Sequence, residues 1–203
     1  DNWLPFKWLG FEESTQYSYQ LNDINDLDSC YKGLSADYRN NKIPKATKMV
    51  SIESGGSPRA FASVFMEPLT RDGTKLAGNQ KLMIGLMEES IRKGRGKIFS
   101  ANDFQGNIHA AAFIVWDNHR AYLLLNGDDP KFRSSGASIY LQWKILEFVS
   151  TELKRKDFDF LGSMLPMVES VRRSFGATQH KYSHVFKRSG MFRFVEGARN
   201  LVR

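Results

Sequence analysis

The chain has 203 residues and a net charge of +7, from 29 basic and 22 acidic side chains. Its 41% hydrophobic and 25% charged content, with fifteen Phe and four Trp, excludes a disordered chain and promises a substantial core. No apolar run approaches a membrane span, and the single Cys30 cannot form an internal disulfide, so a reducing, cytoplasmic setting is expected.

The chain opens on Asp1 without an initiator Met, and Trp3, Leu4, Pro5, Phe6, Trp8 and Phe11 form an aromatic entry. Gln16 to Leu21 alternates and reads as a strand. Asp23 is the expected cap of a helix running to about Leu34. Ser35 is the expected cap of a second helix, Ala36 to Thr47, strained by Pro44. One strand and two short helices are too little to fold alone. Residues 1–47 are therefore expected to be an arm packed on the main unit or the remnant of an upstream domain. The main unit is expected at 48–188, followed by a basic tail at 189–203.

Within the main unit, Met49 to Glu53 reads as a first strand, and Ser54 to Pro58 as a turn into helices near 58–70 and 78–93. Three strands follow at 97–102, 109–116 and 121–125. Their links, Asp103 to Asn107 and Asp117 to Arg120, are hairpin-length and rich in turn formers, which predicts consecutive antiparallel neighbours. Ile139, Trp143, Leu146, Val149 and Leu153 recur at helical spacing as one apolar stripe. Lys154-Arg155-Lys156 is read as closing that helix against its dipole. Phe158 to Leu161 is a short strand expected beside 121–125, reached by the crossover helix. Pro166 opens a last helix that Gly176 ends, and Tyr182 to Phe186 is the last strand.

The chemistry concentrates at Arg133-Ser134-Ser135-Gly136-Ala137-Ser138, between a strand ending near Leu125 and Asn126 and the long helix. A small-residue loop that opens a helix leaves N–H groups for a phosphate, and an arginine there can add a bidentate pair. The plain alternative is a strand-to-helix turn with an exposed arginine. The excess positive charge likewise fits either a polyanionic partner or an ordinary solvated surface. The four histidines show no metal-ligand spacing, so no metal site is expected.

The element order and the loop Arg133-x-x-Gly136-x-Ser138 resemble the GNAT fold of CoA-dependent acyltransferases, with Ser138 where the family's loop has Gly or Ala. Phe158-Asp159-Phe160-x-Gly162-Ser163 and Val171-Arg172-x-x-Phe175-Gly176 resemble the FemABX branch, whose members use two tandem GNAT-like domains. Leu4-Pro5-Phe6-x-Trp8-x-Gly10-Phe11 resembles the end of such a first domain. The resemblance implies an α/β fold with a GNAT-like mixed central sheet flanked by helices, here with an N-terminal helical arm. It implies a phosphorylated acyl donor held at 133–138, either acyl-CoA or aminoacyl-tRNA, with no tightly bound cofactor. It places the acyl carbonyl against the backbone at Leu125 and Asn126, where the strand splays from its neighbour. It implies an amine acceptor, in the FemABX case a cell-wall precursor.

Candidate catalytic residues are Arg172, Tyr182 and Glu169. Counting four back from Gly176, where many GNAT enzymes carry a tyrosine acid, lands on Arg172, which keeps its proton at neutral pH. Arg172 can steady an anion or simply face solvent. Glu169 can serve as a base or pair with Arg172 three residues on. Tyr182 can donate a proton or pack as a core tyrosine. The functional readings are an acyl- or aminoacyl-transferase, a catalytically degenerate module that binds a polyanion or protein, and an ordinary acetyl-CoA enzyme acting on a small amine.

Overall fold

The computed structural model describes residues 2–63, 80–162 and 166–187. In chain order these form α1 (Leu4–Trp8), β1 (Glu12–Leu21), α2 (Leu27–Gly33), α3 (Ile43–Ala46), β2 (Val50–Ser54), α4 (Gln80–Arg92), β3 (Gly96–Asp103), β4 (Ile108–Trp116), β5 (Arg120–Asp128), α5 (Ala137–Thr151), β6 (Asp157–Asp159), α6 (Pro166–Ser174) and β7 (Thr178–Phe186). Residues 58–63 are also helical. The expected tail at 189–203, and most of the helix expected at 58–70, lie outside the described residues.

The strands make one mixed sheet in the order β2-β3-β4-β5-β6-β1-β7. The hairpins β3–β4 and β4–β5 are antiparallel, and β6 lies parallel to β5, as the short links and the crossover helix predict. The segment read as an arm supplies a strand inside this sheet. β1 pairs with β6 through Gln20–Asp159 and with β7 along nine residues from Glu12 to Gln20, all antiparallel. Ile24, Leu34, Tyr38, Ile43 and Ala46 join the same core as the long helix. The sheet is therefore continuous only with residues 12–21 in place.

β4 shows how the layers form. Ala110, Ala112 and Ile114 face one core, shared with Leu141, Ile145 and Val149 of α5, while Ala111 and Phe113 face a second, shared with Met83 and Met87 of α4. Period-two alternation sends neighbours to opposite faces, so one central strand is buried on both sides. α5 is buried over most of its surface rather than along one stripe, because the 38–46 segment packs on its outer side.

Three local expectations need correction. The helix at 27 is capped by Asp26, whose Oδ1 accepts the Ser29 N–H at 2.9 Å; Asp23 sits earlier in a left-handed turn with φ +58°. The 36–47 helix widens into a π turn at Tyr38–Lys42, with Ile43 N–H bonded to Tyr38 O. Pro44 has no N–H to give, and its ring would press on the carbonyl one turn back; the extra residue relieves both. Finally, α5 ends at Thr151 with no basic residue in its last turn. Lys154 adopts φ +55°, and Arg155 donates to the carbonyls of Asp117 and Leu153.

Candidate acyl-transfer site

β5 and β6 are paired only where Arg120 to Tyr122 meet Asp157 to Asp159. β5 then continues to Asp128 along β4 alone, so the sheet opens beyond Tyr122. The ladder shows why. Phe113 lies opposite Leu125 and Ile114 opposite Leu123, which leaves Leu124 as an extra residue on β5. A bulge bends and twists its strand and shifts the alternation by one. Past it, the Asp129 N–H bonds to His109 O at 3.0 Å. Hydrogen-bonded pairs alternate in an antiparallel ladder, so Gly127 and Leu125 also point their main-chain groups at β4. The Asn126 N–H points the other way, into the opening.

A cavity of about 430 Å³ occupies this opening. Ile139, Val168 and Val171 give it apolar walls; Arg133 is exposed beside Asp128 at its rim, Lys42, Ser138 and Asn126 are half-buried, and Tyr38, Gln142 and Arg172 are buried. Arg172 is only 5% exposed. Its Nη1 donates to Gln142 Oε1 at 2.8 Å and its Nη2 to Asn126 Oδ1 at 3.4 Å. The guanidinium lies 4.9 Å from the Phe160 ring centre, and its buried Nε has no hydrogen-bond partner among the described residues. Burial lowers its pKa to about 10, against the pull of Tyr38 and Asp159, so it remains charged at neutral pH. Tyr38, edge-on to Phe175 at 5.4 Å, has its phenol pKa raised, chiefly by burial, and keeps its proton.

The loop is more built than its sequence suggests. Pro130–Ser135 forms a 3-10 helix, capped by Asp129 Oδ1 on the Lys131 N–H at 2.9 Å. Arg133, expected to reach a phosphate, pairs instead with Asp128 at 3.1 Å. Ser134 accepts Lys45 Nζ at its carbonyl at 2.7 Å, and the buried Ser135 Oγ accepts the Ala137 N–H at 3.1 Å. Gly136 turns the chain into α5 with φ +76°, and a Cβ there would stand 2.8 Å from the Lys42 carbonyl. A bulky residue at 136 therefore acts on the fold as well as on any ligand, because the π turn is seated against it.

The other candidates separate. Tyr182 is 45% exposed on β7 and borders a different, polar hollow with Trp3, Glu13 and Lys181, so it is not a packed core tyrosine. Glu169 pairs with Arg173 one turn on, rather than with Arg172. Leu125 packs against the second core and leaves the opening to Asn126. Three site residues escaped the sequence reading: Tyr38, Lys42 and Gln142. For Gln142 the signal was a polar residue on the buried side of an apolar helix. For Tyr38 and Lys42 there was none, since the fold brings them in from the distant arm.

A sheet that opens beside a bulged strand, with a helix start facing the opening, is the architecture of the GNAT fold. The acetyltransferase (GNAT) domain family matches residues 59–192, and the chain belongs to that family. No curated protein matches it in sequence. Its fold is similar to that of FemX, at 12% identity and TM-score 0.66 over 90% of this chain and 68% of that one. A tandem GNAT protein from the clavulanic acid biosynthesis pathway is similar at 12% identity and TM-score 0.58, over 93% of this chain and 60% of that one. L-PGS from Bacillus licheniformis is similar at 9% identity and TM-score 0.55, over 96% and 68%. The chain thus spans between 60% and 68% of the length of these proteins. No helix among the described residues is long and apolar enough to cross a membrane.

Proposed function

We propose that the chain transfers an acyl group from a phosphorylated carrier, acyl-CoA or an aminoacyl-tRNA, to an amine acceptor. The observation that carries this reading is the Asn126 N–H aimed into the cavity where β5 leaves β6. The donor's carbonyl oxygen would sit on that N–H, with the carrier phosphates outside, near Lys42, Ser138 and the start of α5. The acceptor nitrogen attacks the acyl carbon, the oxygen takes the negative charge, and the bond to the leaving sulfur or oxygen breaks. The Asn126 N–H steadies the oxyanion, and the charge of Arg172 faces the acyl group from the inner end of the cavity. Tyr38, which lines the cavity, would give its proton to the leaving atom and regain one, by way of water, from the attacking amine. Holding both partners in line supplies the rest of the acceleration.

The pairing of Arg133 with Asp128 favours a second reading, a degenerate module that binds a partner without turnover. Calorimetry with CoA, and release of free thiol from acyl-CoA in the presence of amines, decide between them. Micromolar CoA binding is expected, weakened at least about tenfold by Ser138→Glu, which sets a carboxylate in the first turn of α5. Tyr38→Phe is expected to slow transfer by roughly 100-fold, as loss of a proton donor does, with Tyr182→Phe unchanged. Binding without thiol release would favour the module; failure to bind CoA, nucleotides or tRNA would overturn the donor reading.

A further inference from the structure

Arg172 lacks what a buried guanidinium ordinarily has. Among the described residues no carboxylate lies within the 4.0 Å limit of an ion pair with it, and the oxygens it touches belong to the neutral amides of Gln142 and Asn126. Its neighbour Asp159 is committed elsewhere: Oδ1 accepts the Leu161 N–H at 2.8 Å, Oδ2 accepts Gln20 Nε2 at 2.9 Å, and Arg120 stands 3.7 Å away. Both terminal nitrogens of Arg172 keep a second N–H after these bonds. A charge held out of water without a counter-ion is costly unless a ligand supplies one.

We propose that the group transferred is a short acyl chain ending in a carboxylate, which docks on the Arg172 guanidinium at the inner end of the cavity. This rests on the acyl-transfer reading and names its substrate class. Three features select this chemistry. The guanidinium fork matches a planar carboxylate, and its single charge balances one carboxylate but not the roughly two negative charges of a phosphate monoester. Away from Arg172, Lys42 adds positive charge to the lining, while the charge of Arg133 is met by Asp128. Arg172 also bonds the side chain of Asn126, the residue whose N–H faces the acyl carbonyl, so carbonyl and carboxylate are separated by only a few carbons. Ile139, Val168 and Val171 line the stretch those carbons would fill. An aminoacyl group with a free ammonium would set like charge against Arg172, so the same geometry disfavours that donor.

The test is a nitrogen-edited NMR titration of the intact chain that follows the Arg172 side-chain N–H signals, with sodium glutarate, neutral glutaramide and inorganic phosphate as probes. Glutarate is expected to shift these signals saturably and glutaramide to leave them in place, and phosphate to act more weakly than glutarate. Equal response to glutarate and glutaramide, or no response to glutarate, overturns the proposal; a stronger response to phosphate assigns the site to a phosphate and overturns it too. Calorimetry with succinyl-CoA and butyryl-CoA separates this inference from the reading beneath it. Succinyl-CoA is expected to bind at least about tenfold more tightly, and Arg172→Gln to erase the difference, as loss of a charge-assisted bond does. Equal affinities overturn the carboxylate site and leave acyl transfer standing. A glutarate response with neither CoA ester bound retains an anion site and removes the CoA donor.

Discussion

His109 and Arg172 are buried to similar depth, at 3% and 5% exposure, and each leaves one nitrogen without a partner among the described residues. Their surroundings differ. His109 Nε2 lies 3.2 Å from Asp103 Oδ2, and its ring stacks on Phe132 at 4.1 Å, so the β3–β4 turn and the 3-10 segment before α5 meet on it. Arg172 has aromatic rings and amide oxygens around it, and among the described residues no carboxylate in ion-pair contact, the charge of Asp159 reaching it only from a distance. A buried base whose acid is built into the fold holds the fold together. One whose nearest acid stands beyond contact is open, on the proposal above, to the charge of a ligand.

Substitutions sharpen that contrast. Arg172→Met is expected to reduce acyl transfer by about 100-fold, since the charge that fixes the acyl group in the cavity is lost and misplacement of the reacting atoms costs about that much. Its effect on unfolding free energy is expected to stay within about 1 kcal/mol, since an uncompensated buried charge goes and apolar volume takes its place. Rate assays and thermal unfolding on one preparation check both; a collapse in stability would make Arg172 structural and erase the distinction. His109→Ala should do the opposite. It empties a buried site against Phe132 and is expected to cost about 2–3 kcal/mol, lowering the melting temperature by several degrees.

The smallest expected effect is a pH dependence. Asp103 is held down at about 2, chiefly by the Asn107 side-chain amide, with the main-chain N–H groups of Asn107 and Gln105 and the His109 ring adding to it. A carboxyl depressed in the folded state contributes stability that is complete above its unfolded value near 4 and lost as pH falls through about 2. Exchange at the Gln105 and Asn107 amides, corrected for intrinsic rates, is expected to quicken over that window. Asp103→Asn should flatten the response. Acceleration that begins well above that window would take the control away from Asp103.

Where the fold is local, the sequence shows it. The β3–β4 and β4–β5 hairpins follow from turn residues within a few positions of the strands they join, and the crossover helix then fixes β6 beside β5. The place of β1 leaves no such trace, because its partners, such as Asp159 for Gln20, lie 139 residues along the chain. The site divides in the same way. The loop and Arg172 stand out as a motif and its neighbour, while Tyr38 and Lys42 arrive by packing and the Leu124 bulge has no marker residue. The 3-10 turn was legible: Asp129-Pro130 is a cap followed by a helix-start proline, a signal passed over between two stronger elements.

The insertion of β1 between β6 and β7 also orders events in time. As the chain leaves the ribosome, β2 to β5 can zip as nearest neighbours, each closing a short loop. β1 must wait, unpaired on both edges, until the last third of the chain has been made. Closing so long a loop comes late and slowly. Meanwhile a strand of ten residues with Tyr17, Tyr19 and Leu21 offers open edges to any other nascent chain. The same strand that completes the sheet is thus the point at which synthesis is most exposed to misassembly. Chains shortened at either end should be found in aggregates rather than as smaller working units.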